Sequence, residues 1–157
     1  MLFARKVTGP LSSLLKQFDQ SVSQNKGADL RSFAVFLTDD SEAMEAELKQ
    51  LAEKAKIGDN LPLTIVEDLA GPSAYKIDKD AEVTILLYTK GKVVSNFAFK
   101  AGELQEKDVK TITGKINKIL PTKEELEEQA KQKKEIEELR KKLEAAKQEK
   151  EKKGAEK

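Results

Sequence analysis

The 157-residue chain contains no cysteine and no histidine. These two absences exclude a thiol nucleophile, a disulfide framework, an iron–sulfur cluster, an imidazole general base and the common Cys/His zinc sites. The near balance of 29 basic and 28 acidic side chains argues against a nucleic-acid binder that works by neutralising phosphates. The composition therefore predicts no metal, no cofactor and no nucleic-acid partner.

Long apolar runs are also missing from the sequence. No run approaches the roughly 18 to 20 residues that a membrane-spanning helix needs, and the first 20 residues lack the basic, apolar and small-residue regions of an export signal. We therefore expect no transmembrane segment. We expect a cytoplasmic location if Met1 is the true start, and an extracytoplasmic one if an N-terminal signal is missing.

The composition changes sharply at Pro121-Thr122. Leucine, isoleucine, valine and phenylalanine number 36 in residues 1–121 but only 4 in residues 122–157. In the second region 23 of 36 residues are charged, which is too polar for a core of its own. The sequence predicts a globular domain over 1–121 and a charged helical tail over 122–157.

Hydrophobic periodicity in residues 1–121 predicts the order β-α-β-α-β-(short α)-β-β-α. Strands that alternate with helices imply parallel pairing, and the two late strands joined through Lys90-Gly91-Lys92 imply an antiparallel hairpin. This pattern is typical of a three-layer α/β/α sandwich with a mixed central sheet and helices on both faces.

Short local signals predict several helix ends. Thr8-Gly9-Pro10 has the cap and first-turn residues of a helix start, and Asp39-Asp40-Ser41 offers cap oxygens to the next helix. Capping is favoured over a metal or acid–base role for the aspartates, because Asp and Ser cap helices routinely. Gly58 is expected to end that helix. Tyr75 and Tyr88 are each expected to have a buried ring with its hydroxyl in contact with water.

Two strings in the sequence are similar to a known family. Phe3-Ala4-Arg5-Lys6-Val7-Thr8-Gly9-Pro10-Leu11 resembles a strand that runs into Trp-Cys-Gly-Pro-Cys at a helix start. Residues 75–93 resemble the Tyr-Gly-Val, Pro-Thr and Asp-Gly-Lys-Val elements that surround a later strand and hairpin. Together with the element order, they resemble the thioredoxin-like superfamily, in its thiol-disulfide oxidoreductase and peroxiredoxin-type branch, over nearly all of residues 2–120.

The resemblance implies a groove that has lost its chemistry. Thr8 and Leu11 stand at the two redox cysteine positions, and Val83 stands at the cis-proline position, so the Glu82-Val83 peptide is expected to be trans. The implied groove, formed by Thr8, Gly9, Pro10, Leu11 and Val83, would bind a protein or peptide without catalysis. The first strand would be central yet begins almost at Met1. Either the sheet is trimmed or N-terminal sequence that would supply an edge is missing, and we expect the second.

The tail carries both a helix signal and a short apolar pattern. Thr122 to Glu125 has the spacing of a capping box. Ile136, Leu139, Leu143 and Ala146 follow a 3-4-3 spacing over barely two heptads, which does not support a strong coiled coil. A solvated helix and a monomeric chain are expected.

Three functions remain open from the sequence. The leading hypothesis is a redox-inactive, thioredoxin-like binding or scaffold module with the charged helix as a tether. One alternative is a non-thiol enzyme that uses the same groove, in which Thr8 orients a ligand and Tyr88 or Asp40 assists. The other is a structural protein that assembles through its C-terminal helix.

Overall fold

A computed structural model describes residues 1–116 and 118–154, which divide between two compact units, Met1–Leu120 and Pro121–Lys157. The first unit contains β1 (Leu2–Ala4), α1 (Gly9–Gln24), β2 (Ala34–Leu37), α2 (Ser41–Ala55), β3 (Leu63–Val66), β4 (Ala81–Thr89), β5 (Lys92–Lys100) and α3 (Glu106–Ile116), with short 3₁₀ turns at Lys26–Ala28 and Ser73–Tyr75. The second unit contains α4 (Lys123–Gly154). The predicted α/β class, the element order and the long C-terminal helix are confirmed.

One mixed sheet of five strands organises the first unit, in the order β3-β2-β1-β4-β5. The pairs β1–β2 and β2–β3 are parallel, whereas β1–β4 and β4–β5 are antiparallel. In the β1–β4 pair, Leu2 pairs with Ile85 and Ala4 pairs with Val83. The central place predicted for the first strand is confirmed, and β3 and β5 form the two edges of the described sheet.

All three helices of this unit pack on the same face of the sheet. The larger core joins buried residues of the helices to sheet residues that include Leu2, Phe36 and Ile85. Because β1, β2 and β3 lie side by side, right-handed crossovers place α1 and α2 on one face. The buried residues of α1–α3 in this core are Leu11, Leu14, Leu15, Phe18, Met44, Leu48, Leu51, Val109, Ile112 and Ile116.

The second face of the sheet has a smaller core of its own, called the second core below. It consists of Met1, Phe3, Val35, Leu37 and Leu86, with Phe33, Val66 and Ile77 packed against it. None of its residues comes from α1, α2 or α3. The prediction of helices on both faces is therefore wrong for these three helices.

The connection between β3 and β4, residues 67–80, covers part of the second face instead. The Tyr75 ring lies 5.1 Å from the Phe3 ring, measured between centroids. Gly71 is buried beside Leu37, and Ile77 packs against the same cluster. Since β3 and β4 lie on opposite sides of β1, the chain must cross the sheet here, and it does so with only one 3₁₀ turn.

Arg5 fastens this crossing connection to the end of β1. Its Nε and Nη2 donate to the Leu69 carbonyl at 3.1 and 2.9 Å. Its Nη1 donates to the Asp78 carbonyl at 3.1 Å and also to the Ala81 carbonyl. One guanidinium thus holds both ends of the connection, which suits its planar set of donors.

The predicted helix starts are confirmed, but one predicted helix end is wrong. Thr8 Oγ1 accepts a hydrogen bond from Leu11 N at 3.3 Å, and Asp40 Oδ1 accepts one from Ala43 N at 3.0 Å. α2 ends at Ala55, and Lys56 rather than Gly58 takes the left-handed conformation, with φ 54°. Gly58 lies two residues farther on.

The predicted hairpin is confirmed, with a two-residue turn. Lys90 and Gly91 have φ values of 51° and 74°, the positive pair that a type I′ turn requires. The pairing register shifts between Leu87 and Tyr88, near the turn. Tyr88 is 46% exposed and Tyr75 is 43% exposed, so the expectation that both rings are buried is wrong.

The second unit begins with the predicted capping box. Thr122 Oγ1 accepts from Glu125 N at 3.2 Å, and Thr122 N donates to Glu125 Oε2 at 2.9 Å. Farther along α4, Lys141 Nζ lies 3.1 Å from Glu137 Oε1. Among the described residues, no helix combines the length and apolarity that a membrane span requires. The side chain of Ala146 lies outside the described part of the chain.

Met1 extends the β1–β4 ladder into the second core. Its carbonyl accepts from Leu86 N at 2.9 Å, and its terminal nitrogen donates to the Leu86 carbonyl at 3.1 Å. Burial lowers the pKa of this ammonium from its ordinary value of 8.0 to about 6. Burial disfavours the charged ammonium, so the folded chain favours the neutral amine, which can still donate the hydrogen bond to the Leu86 carbonyl.

We expect the stability of this chain to rise between pH 6 and pH 8. In that window the unfolded chain, with its amine pKa near 8.0, binds more protons than the folded chain, with a pKa of about 6. The gain is at most about 2.7 kcal/mol, at about 1.36 kcal/mol per unit. Urea unfolding at several pH values measures this gain. Because the chain has no histidine, no other side chain with an ordinary pKa titrates between pH 6 and pH 8. Acetylating the terminus should flatten the profile, whereas a flat profile for the unmodified chain would contradict this assignment.

Candidate functional site

The five residues of the predicted groove do not share one surface. Thr8 and Pro10 are half-buried and Gly9 is exposed, where the chain leaves β1 and starts α1. Leu11 and Val83 are 0% and 1% exposed and belong to the larger core. The structure therefore places Leu11 and Val83 where a ligand cannot reach their side chains.

The position of Val83 follows from the strand register. Val83 pairs with Ala4, and the backbone N–H of Arg5 donates to the Glu82 carbonyl at 2.9 Å. The Glu82-Val83 peptide is trans, as no cis peptide occurs among the described residues. Val83 is thus an ordinary inward-facing strand residue beside β1.

A groove of about 400 Å³ lies between the first turn of α1 and one side of α2. Its polar members on α2 are Glu47, Gln50 and Lys54, whose spacing of three and four residues puts them on one helix face. Its lining residues are Val7, Thr8, Gly9, Ser12, Glu47, Gln50, Leu51, Lys54 and Ala55. The groove thus has an apolar floor and a polar rim.

The α1 side of the groove is held in place by helix capping. Thr8 Oγ1 accepts from Leu11 N, while the Thr8 carbonyl accepts from the Ser12 hydroxyl at 2.9 Å. Because Thr8 Oγ1 accepts this hydrogen bond, its orientation is set by helix capping. What this side offers a ligand is backbone, the exposed Gly9 and the positive end of a helix dipole.

The α2 side supplies charges of both signs. Glu47, Gln50 and Lys54 are all exposed, so the rim is open to solvent. Together they present a carboxylate, an amide and an ammonium along about two helical turns. This set can hydrogen-bond the backbone of an extended peptide and pair with its charged side chains. These α2 residues were missed from the sequence, where they look like an ordinary solvated helix face.

The residues proposed for a non-thiol enzyme are not brought together. Asp40 is the cap of α2 and Tyr88 lies near the hairpin turn, and neither lines the groove that contains Thr8. The register places Tyr88 beyond the Leu2–Ile85 pair, whereas Thr8 follows the other end of β1. Within the described residues, no group of three or more acidic, histidine or cysteine side chains could hold a metal ion.

Comparison with protein-family models, with curated proteins and with solved structures finds no match for this chain.

Proposed function

We propose that the first unit is a thioredoxin-like domain that has lost thiol chemistry. Three features support the proposal: the central β1 runs into Thr8-Gly9-Pro10, the antiparallel β4–β5 hairpin adjoins β1, and α3 packs beside α1. The family's three-layer arrangement would be reduced here, since residues 67–80 take the place of a helix on the second face. With no cysteine, the chain has no sulfur for disulfide exchange.

We propose further that this unit acts as a binding or scaffold module rather than an enzyme, with α4 as a charged tether. The open groove between α1 and α2 carries this proposal. The ligand that fits it best is an extended protein segment, because the rim combines hydrogen-bonding groups with one acidic and one basic side chain while the floor is apolar. The groove lies beside the predicted site, sharing Thr8 and Gly9 with it.

Filling the groove is expected to weaken peptide binding. Peptides selected on the full chain from a random displayed library should lose at least about tenfold in affinity for Gln50→Trp, measured by calorimetry. A loss of that size corresponds to about 1.4 kcal/mol. Lys49→Trp is the matched control, since Lys49 is exposed on α2, is not adjacent to Gln50 on the groove face and does not line the groove. Equal affinity for both variants, or no selected peptide that the full chain binds, would refute the groove as the binding site.

A further inference from the structure

α4 carries a short apolar stripe on an otherwise polar helix. The side chains of Ile136, Leu139 and Leu143 are 52%, 58% and 58% exposed. Their spacing of three and four residues places them along one side of a continuous helix. A stripe of this kind is the seam that a second helix covers in a coiled coil.

Basic residues flank the stripe on one side, and mostly acidic residues flank it on the other. If Ile136 and Leu143 occupy heptad position a and Leu139 occupies d, the three e positions from residue 130 to residue 147 are all basic: Lys133, Arg140 and Lys147. Position g is acidic at the first two of its described residues, Glu128, Glu135 and Lys142. In coiled coils the e and g residues set partner choice and orientation.

We propose that α4 pairs with α4 of a second copy of this chain as a parallel, in-register coiled coil. In a parallel pair each g residue faces the e residue five positions later on the other copy. Glu128 then faces the second copy's Lys133, and Glu135 faces its Arg140, so two attractive contacts form on each side against one Lys142–Lys147 repulsion. The partner is selected by charge as well as by apolar contact.

An antiparallel pair of the same helices is disfavoured. There position e faces e and position g faces g, so Lys133, Arg140 and Lys147 would meet only one another. Like charges at such close positions are destabilising. The ion pair between Glu137 and Lys141 lies on the outer side, at positions b and f, and leaves the seam open.

Register is fixed by the polar layers that precede the stripe. Gln129 and Gln132 occupy the a and d positions before Ile136, and a shift of one heptad would set Ile136 against Gln129. Polar residues in a seam commonly specify register at a cost in stability. The pair is therefore weak, and the chain exchanges between monomer and dimer with concentration. A weak dimer differs from the monomer expected from the sequence, and it does not depend on the proposed groove.

Charge reversal tests the orientation. By sedimentation equilibrium of the full chain, Glu135→Arg and Arg140→Glu should each weaken dimerisation about tenfold, and the double variant should restore it. Glu144→Arg, at outer position b, is the control and should leave it unchanged. A monomer at all concentrations, a stronger dimer for Arg140→Glu alone, or no rescue in the double variant would each overturn the proposal.

Cross-linking tests the register separately. Because the natural chain lacks cysteine, a single introduced thiol reports only on its own copy-to-copy distance. Gln129→Cys and Leu143→Cys, prepared as two independent single-cysteine variants, should each form disulfide-linked dimers under mild oxidation. These positions lie 14 residues, about 21 Å, apart along the helix, so no antiparallel register brings both into contact with their counterparts. Cross-linking of only one position, or of neither, would rule out the parallel register.

Discussion

Replacing Arg5 with methionine is expected to lower the free energy of unfolding by about 3–5 kcal/mol. The guanidinium donates to the carbonyls of Leu69, Asp78 and Ala81, and hydrogen bonds from a charged group contribute about 1.5–3 kcal/mol each before solvent exposure reduces them. Methionine keeps much of the length and the apolar stem but removes every donor. Urea unfolding followed by circular dichroism measures the loss, and limited proteolysis should then cut within residues 67–80.

Two further substitutions define the role of Arg5. Arg31→Met removes an arginine that is paired only at the surface, 3.1 Å from Asp29, and should change the stability by less than about 0.5 kcal/mol. Arg5→Lys should recover only part of the loss, since one ammonium cannot match the separated donors of the guanidinium. Equal stability of the Arg5→Met and Arg31→Met chains would show that Arg5 does not fasten the connection.

Gly71→Ala is expected to cost about 2–5 kcal/mol. Gly71 has φ 70°, a left-handed conformation that costs other residues roughly 1–2 kcal/mol. An added Cβ would also lie 2.9 Å from Ile77 Cδ1 and 3.0 Å from Leu37 Cδ1, which forces the second core to shift. Overpacking of this kind typically costs a further 1–3 kcal/mol, and thermal or urea unfolding measures the sum.

Gly91→Ala separates the two causes of that loss. Gly91 has a nearly equal φ of 74°, but nothing lies within 4 Å of an added Cβ. It should therefore lose only the conformational part, about 1–2 kcal/mol. If both alanine variants lost the same amount, close packing of Gly71 against the sheet would play no part in stability.

Structural features that depend only on a few neighbouring residues could be predicted from the sequence. The cap at Thr8, the cap at Asp40 and the box from Thr122 to Glu125 depend only on a side-chain oxygen and the next backbone N–H groups. The hairpin turn at Lys90-Gly91 is local in the same sense. The end of α2 was missed because a non-glycine residue, Lys56, adopts the left-handed conformation there.

Strand order could not be predicted, and several errors follow from it. Whether β3 pairs with β2 at the edge or crosses beyond β1 is decided by contacts between residues far apart in sequence. The observed order places α1 and α2 on one face and leaves the other to a connection without a long helix. The exposure of Tyr75 and Tyr88 has the same origin, since an apolar sequence context does not reveal which face is covered.

The candidate site was only half accessible to sequence reasoning. Thr8 and Gly9 could be found because a helix start after a central strand is visible in the sequence. Glu47, Gln50 and Lys54 could not, since their place beside Thr8 depends on how α2 packs against α1. Leu11 was assigned to the groove through the resemblance, but its helical phase directs it into the core.

The outer strand β5 bears on how the protein behaves at high concentration. It ends the described sheet and spans nine residues, with an exposed lysine at each end, Lys92 and Lys100. If two such strands met edge to edge in opposite directions, each Lys92 would approach the other molecule's Lys100, and the ammonium groups would repel. Terminal lysines of this kind discourage open-ended stacking of sheets, so the chain should resist fibril growth from this border.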